Sequence, residues 1–214
     1  MRLPRTLAPA EIRVLGSLLE KQQATPEYYP LTLGALVAAC NQKSNREPVL
    51  ELSETDVLGA LESMRELVLV WKVVGSRTDK WEENLAAKLG LTPPAKAILT
   101  LLFLRGPQTP GELKGRSERL HPFASLDEVD AALSEMSAGK DPLVAILARR
   151  PGQKEARFGH LLSGDLPADL SAPAGAAPHA EAQETLAGRV ARLEERVEAL
   201  TAELGELRTK LGSP

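Results

Sequence analysis

The sequence predicts a mostly helical α+β fold with small β-hairpins, made of two tandem copies of one unit and a separate helix near the C-terminus. Three observations carry this. Leu7-x-Pro9, trailed by Val14, Leu15, Leu18 and Leu19, recurs as Leu91-x-Pro93 trailed by Ile98, Leu99, Leu102 and Phe103. Further on, Ser53-x-x-Asp56-Val57-x-x-Ala60-Leu61-x-x-Met64 recurs as Ser125-x-x-Glu128-Val129-x-x-Ala132-Leu133-x-x-Met136. Matching segments in the same order, each with its own helix-start signal, mark an internal duplication. After the second segment of each copy the apolar period changes from helical to extended.

The first helix of each copy begins at a proline, where the missing N–H is one the helix leaves unbonded anyway: Pro9 in copy one, Pro93 behind Thr92 in copy two. Its apolar positions at i, i+1, i+4 and i+5 predict one buried face. A second, short helix follows. In copy two Thr109-Pro110-Gly111-Glu112 reads as a capping box, and in copy one Thr32 is placed for the same duty after Pro30. The third helix starts at Ser53 or Ser125 and carries an i, i+3, i+4, i+7 stripe of Val, Ala, Leu and Met. Val68 to Val74, a turn over 75–79 and Lys80-Trp81-Glu82 then form a hairpin; Leu143 to Leu147, a turn through Pro151-Gly152 and Ala156-Arg157-Phe158 repeat it. Three helices followed by a hairpin is the winged-helix plan, with domains at 1–90 and 91–163.

Residues 164–184 are rich in Ala, Pro, Gly and Ser and read as a flexible tether. Within 185–212, Leu186, Val190, Leu193, Val197, Leu200, Leu204, Leu207 and Leu211 alternate spacings of four and three, a heptad seam. Arg189 with Glu194, and Glu203 with Arg208, suit the flanks of a parallel pair, so a homodimer is expected. The alternative is one amphipathic helix folded back on its own domains. Gly188 and Gly205 weaken the helix from outward positions without cutting the seam.

With 214 residues and 43% apolar composition, two modest cores are expected. A net charge of -3 excludes a protein that coats nucleic acid non-specifically. Cys40 stands alone, so no intramolecular disulfide forms. Pro4, Pro9, Glu11 and Arg13 interrupt any signal-peptide core, and no apolar run approaches the ~20 residues of a membrane span. A cytoplasmic, non-membrane protein is expected.

Chemistry has little to build on. His121, His160 and His179 are scattered without metal-ligand spacing, and Cys40 lies on the apolar side of a short helix. There is no phosphate loop and no nucleophile elbow. The expectation is a non-enzyme without cofactor, metal or evident small-molecule ligand. Nor do the third helices suit a major groove: Glu54, Asp56, Glu62 and Glu66 accompany Arg65 in one, and Asp127, Glu128, Asp130 and Glu135 have no basic companion in the other. The cations lie elsewhere, at Lys43 and Arg46 after helix two, Arg77 and Lys80 in the first wing, Lys114, Arg116 and Arg119 on or after the later second helix, and Arg149, Arg150, Lys154 and Arg157 around the second wing. They are either phosphate contacts or ordinary solvated charges. Trp71, Trp81 and Phe158 fall at strand positions expected to pack in the core, which leaves no stacking platform for single strands.

Longer irregular motifs point to a family. Glu20-Lys-Gln-Gln-Ala-Thr-Pro-Glu-Tyr-Tyr-Pro30, Cys40-Asn-Gln-Lys-Ser-Asn-Arg-Glu-Pro-Val49, Arg105-Gly-Pro-Gln-Thr-Pro-Gly-Glu-Leu113, Glu118-Arg-Leu-His-Pro-Phe123 and Gly152-Gln-Lys-Glu-Ala-Arg157 together resemble the YceH family of bacterial proteins over about residues 6–163. Glu47, Trp81 and Lys114-Gly115 depart from its pattern. The resemblance implies tandem winged-helix domains, with a coiled-coil tail in many members, and no established activity or functional residues. It directs attention to the polar loop Asn41–Arg46, which either satisfies backbone groups or forms a binding surface. The function expected is a dimeric DNA-binding-type regulator contacting phosphates through its wings and that loop. The alternative is a protein-interaction adaptor using the acidic third helices and the coiled coil.

Overall fold

A computed structural model describes residues 3–74, 78–147 and 155–164. Arg77, Arg149, Arg150, Lys154, the tether and the heptad seam lie outside the described residues. Copy one runs α1 (Pro9–Ala24), a 3-10 turn (Pro26–Tyr28), β1 (Leu31–Thr32), α2 (Leu33–Cys40), α3 (Glu54–Glu66), β2 (Val70–Val73) and β3 (Lys80–Glu83). A short α4 (Leu85–Leu89) leads into copy two: α5 (Pro93–Arg105), α6 (Pro110–Arg116), α7 (Leu126–Ser137), β4 (Val144–Leu147) and β5 (Arg157–His160). The class is α+β, with seven α-helices and small antiparallel sheets among the described residues.

Local chemistry sets the helix starts. Thr32, Ser53, Thr109 and Ser125 each accept from a backbone N–H three residues on, a cap that contributes about 1 kcal/mol. Asp56 and Glu112 return the bond to the Ser53 and Thr109 amides, closing two capping boxes. Glu128 reaches one residue further back, to the Ala124 amide and His121. The repeated stripes are buried in register: Val57, Ala60, Leu61 and Met64 on α3, Val129, Ala132, Leu133 and Met136 on α7.

The sheets differ. In copy one β1 joins the hairpin in the order β1-β3-β2, with Leu31 opposite Trp81. Copy two keeps only β4 and β5, but Gln108 exchanges both backbone bonds with Phe158 at 3.0 and 2.8 Å, so a single bridge stands where copy one has a strand. Gln108 is buried, and its side-chain amide serves the Leu101 and Gly106 carbonyls.

Two expectations fail together. Length and composition predict two cores with one buried face per first helix, yet the apolar residues of both copies form one contiguous cluster. The reason is the pairing of α1 with α5. Burial on α1 is continuous from Glu11 to Leu19, and on α5 from Ala97 to Leu104. A helix covered on all sides belongs to the interior. Gly16 permits the crossing, since a Cβ there would sit 2.9 Å from both Phe103 Cβ and Leu104 Cδ2. Further bonds tie the copies: Gln23 to Thr100 at 2.9 Å, Glu47 N–H to the Leu104 carbonyl at 2.8 Å, and Leu7 N–H to the Leu162 carbonyl at 2.8 Å.

Trp71 also departs from expectation. Trp81 packs in the core, whereas Trp71 is 45% exposed, because strand alternation from buried Val70 turns it outward on the sheet's edge strand. Val68, just before it, takes φ 56, a left-handed conformation that glycine ordinarily supplies at a helix end.

Candidate functional site

Two of the basic segments singled out in the sequence meet. The loop after α2, through Gln42 and Asn45, and the end of α6 with the turn after it, through Gly115, Arg116, Glu118 and Arg119, line one groove of about 520 Å³ between the copies. Its remaining walls are the C-terminal turns of α1 (Glu20, Lys21) and α5 (Leu101, Leu104, Arg105). A second recess, of about 620 Å³, lies by the N-terminal segment and Lys140–Leu143, away from these cations; its Arg5 is committed to Glu11 at 2.6 Å.

Each predicted contact residue among those described has a definite place. Arg46 is corrected from surface contact to interior ion. Its side chain is 0% exposed, and the guanidinium is bidentate to Glu20 at 3.0 and 2.6 Å while its Nε–H donates to the Ala39 carbonyl. Arg157 is partly committed, donating to the Pro107 carbonyl at 2.8 Å and lying 3.3 Å from Glu112. Arg116 donates to Gln108 at 2.7 Å and lies 3.6 Å from the same Glu112. Lys43, Lys80 and Arg119 are exposed and Lys114 half-buried, and none of the four has an ion pair among the described residues. The third-helix acids expected to repel phosphate do face outward: Glu54, Asp56 and Glu66 on α3, Asp127, Asp130 and Glu135 on α7.

Asn41 and Arg46 of the polar loop serve the backbone. Asn41 brackets Leu52 with two 2.8 Å bonds, to its carbonyl and from its amide, and Asn45 takes φ 60 and accepts from Arg105. Sequence reasoning missed two of the cations. Arg13 is buried on α1, donating to the Cys40 and Pro48 carbonyls with Nε left unpartnered. Burial, then the charge of Arg46, lowers its pKa. Arg105 lines the groove with no ion pair among the described residues, Glu20 and Glu47 acting on it from longer range. Burial, followed by the charges of Arg116 and Arg46, lowers its pKa. Neither sits in a periodic or motif context that signals burial. Cys40 is fully buried, as its helix position predicts, and burial pushes its thiol pKa up. Among the described residues no cluster of His, Cys, Asp and Glu could hold a metal, and no helix is long and apolar enough to cross a membrane.

His160 packs edge-on to Phe103 with ring centroids 4.9 Å apart, its Nδ1 buried without a hydrogen-bond partner. Burial lowers its pKa to about 4. The unfolded chain binds this proton first, at an ordinary pKa near 6.5. The contribution of neutral His160 to stability is therefore complete above pH ~6.5 and is lost as pH falls toward 4, by about 2–3 kcal/mol. Urea midpoints at pH 7 and pH 4.5 are expected to differ less in His160→Phe than in the parent.

The fold and groove define a duplicated helix–helix–helix–hairpin scaffold whose copies share one core and hold a basic recess between them. The chain belongs to the family described as "Protein of unknown function, DUF480", whose model matches residues 7–153. Relatives carrying the name UPF0502 protein include one from Pelobacter propionicus, 50% identical over 92% of this chain and 91% of its own. Another, from Acidovorax sp., is 44% identical over 97% and 95%, and one from Geobacter sulfurreducens 48% over 94% and 90%.

Proposed function

We propose that the protein is a non-enzymatic DNA-binding-type regulator on a tandem winged-helix plan, dimeric through its C-terminal heptads, that contacts phosphates with its wings and the loop after α2. One observation carries the reading: Lys43, Lys80, Lys114 and Arg119 have no ion pair among the described residues. The other predicted contacts described, Arg46, Arg116 and Arg157, are engaged with carboxylates. Helix order supports the plan, as does the strand or bridge that ties the start of α2 or α6 to its hairpin. The outward acids of α3 and α7 direct a duplex away from the third helices and toward hairpin and loop.

Salt dependence tests it. Retention of a labelled duplex is expected to fall steeply with ionic strength, and Arg149→Ala with Arg150→Ala to reduce the log–log slope by roughly 2, about 0.9 per lost phosphate contact. Absence of salt-dependent binding at low ionic strength overturns the DNA reading, and sedimentation as a monomer at micromolar concentration overturns the dimer.

One observation favours an adaptor as the second reading. Trp71, Val73 and Val74 are 45%, 37% and 82% exposed on or beside the edge strand β2, where a protein partner could add a strand. On that reading Trp71→Ala weakens partner binding and leaves duplex retention unchanged.

A further inference from the structure

The groove between the copies holds, in Arg105, a guanidinium that the duplex reading does not use. Four cations line it, Lys21, Arg105, Arg116 and Arg119, against the carboxylates of Glu20 and Glu118. Glu20 is already spent, because both its oxygens accept from buried Arg46. Arg116 lies 3.6 Å from Glu112 and Lys21 3.7 Å from Glu20, which leaves Arg105 and Arg119 as the groove cations with no ion pair among the described residues. Among the described residues Arg105 has the Asn45 side-chain amide oxygen as its hydrogen-bond partner, in a half-buried position where neighbouring guanidinium charge is poorly screened. Burial, and after it the charges of Arg116 and Arg46, lowers the pKa of Arg105, while Glu20 and Glu47 oppose the shift. Leu101, Leu104 and Leu120 add an apolar lining to the same recess.

We propose that this groove binds a small phosphate-bearing molecule, its phosphate held by Arg105 and Arg119 and its organic part against Leu101, Leu104 and Leu120. Phosphate fits better than a monocarboxylate, because paired guanidinium forks offer more donors and more charge than one carboxylate accepts. The volume, about 520 Å³, falls in the range of small-ligand sites. A recess of that size admits a single phosphate group and a small body, whereas the convex backbone of a duplex meets Lys43, Lys80 and Lys114 outside it. Because the walls come from α1 and the α2 loop in copy one and from α5 and α6 in copy two, the ligand would bridge the copies.

The inference does not depend on the DNA reading, and Arg105 separates them. Full-length protein is titrated calorimetrically at low ionic strength with inorganic phosphate, glycerol 3-phosphate and a nucleoside 5′-monophosphate. Saturable binding of at least one is expected, weakened tenfold or more in Arg105→Ala, with the duplex salt slope unchanged. Tighter binding of an ester than of free phosphate supports the apolar lining, and equal binding identifies the phosphate alone as the ligand. Should Arg105→Ala fail to fold, Arg105→Lys keeps the charge but loses the fork, and the same tenfold weakening is expected there. No binding of any of the three probes to the folded protein, or binding indifferent to both substitutions, overturns the proposal.

Discussion

Glu20→Ala is expected to lower the unfolding free energy by about 3–5 kcal/mol, because it strands a buried cation. Arg46 has a fully covered side chain, and the Glu20 carboxylate is its single acidic partner among the described residues, at 2.6 Å. Removing the carboxylate leaves the guanidinium with the Ala39 and Asn45 carbonyls alone, near Arg13, another buried cation. Arg46→Ala removes the charge together with the bonds that order the loop. The two losses share one interaction, so their effects should be strongly non-additive. Glu20→Leu with Arg46→Met should recover most of the stability, since apolar groups of similar volume replace an ion pair at little cost. Urea unfolding of the two single variants and the double variant checks this. A Glu20→Ala midpoint equal to the parent's would rule out Arg46 as an interior ion.

Gly16→Val is expected to cost about 1–3 kcal/mol through overpacking, against the helix-propensity gain of up to ~1 kcal/mol that replacing a mid-helix glycine otherwise brings. The first added carbon already lies 2.9 Å from Phe103 Cβ, an atom fixed to the backbone of α5. Relief therefore requires α1 and α5 to move apart. Gly59 is the internal control: it also lies within a helix, α3, but a Cβ there meets nothing within 4 Å. Gly59→Ala should stabilise by about 0.4–1 kcal/mol. Thermal melts in which both substitutions act in the same direction would show that the α1 and α5 crossing is not the tight contact described.

The sequence reveals what is local and periodic. The buried stripes on α3 and α7, the threonine and serine caps and the paired hairpins are written within spans of ten or so residues, and each is found where its pattern places it. What it conceals depends on distant partners. Arg46 reads as a surface cation because its acid is 26 positions away, and Trp71 reads as core because strand position alone does not say which face is covered. The fusion of two cores has one faint local trace: Ala97 to Leu104 is apolar except for Thr100, more than a single buried stripe needs. The groove has none, because its cations come from α1, α5, α6 and the turn after α6 and acquire meaning only when these segments converge.

The bond from Leu7 to the carbonyl of Leu162 bears on how the chain is made. Synthesis delivers residues from the N-terminus onward. Copy one can leave the ribosome with its own helices complete, but the face of α1 that meets Phe103 and Leu104 has nothing to cover it until α5 follows. The segment ahead of α1 waits longer still, for a partner more than 150 positions downstream. A repeat that looks as though it should fold one half at a time is thus closed by its last described turn, and a nascent chain stalled between the copies would present an apolar helix face to whatever chaperone is near.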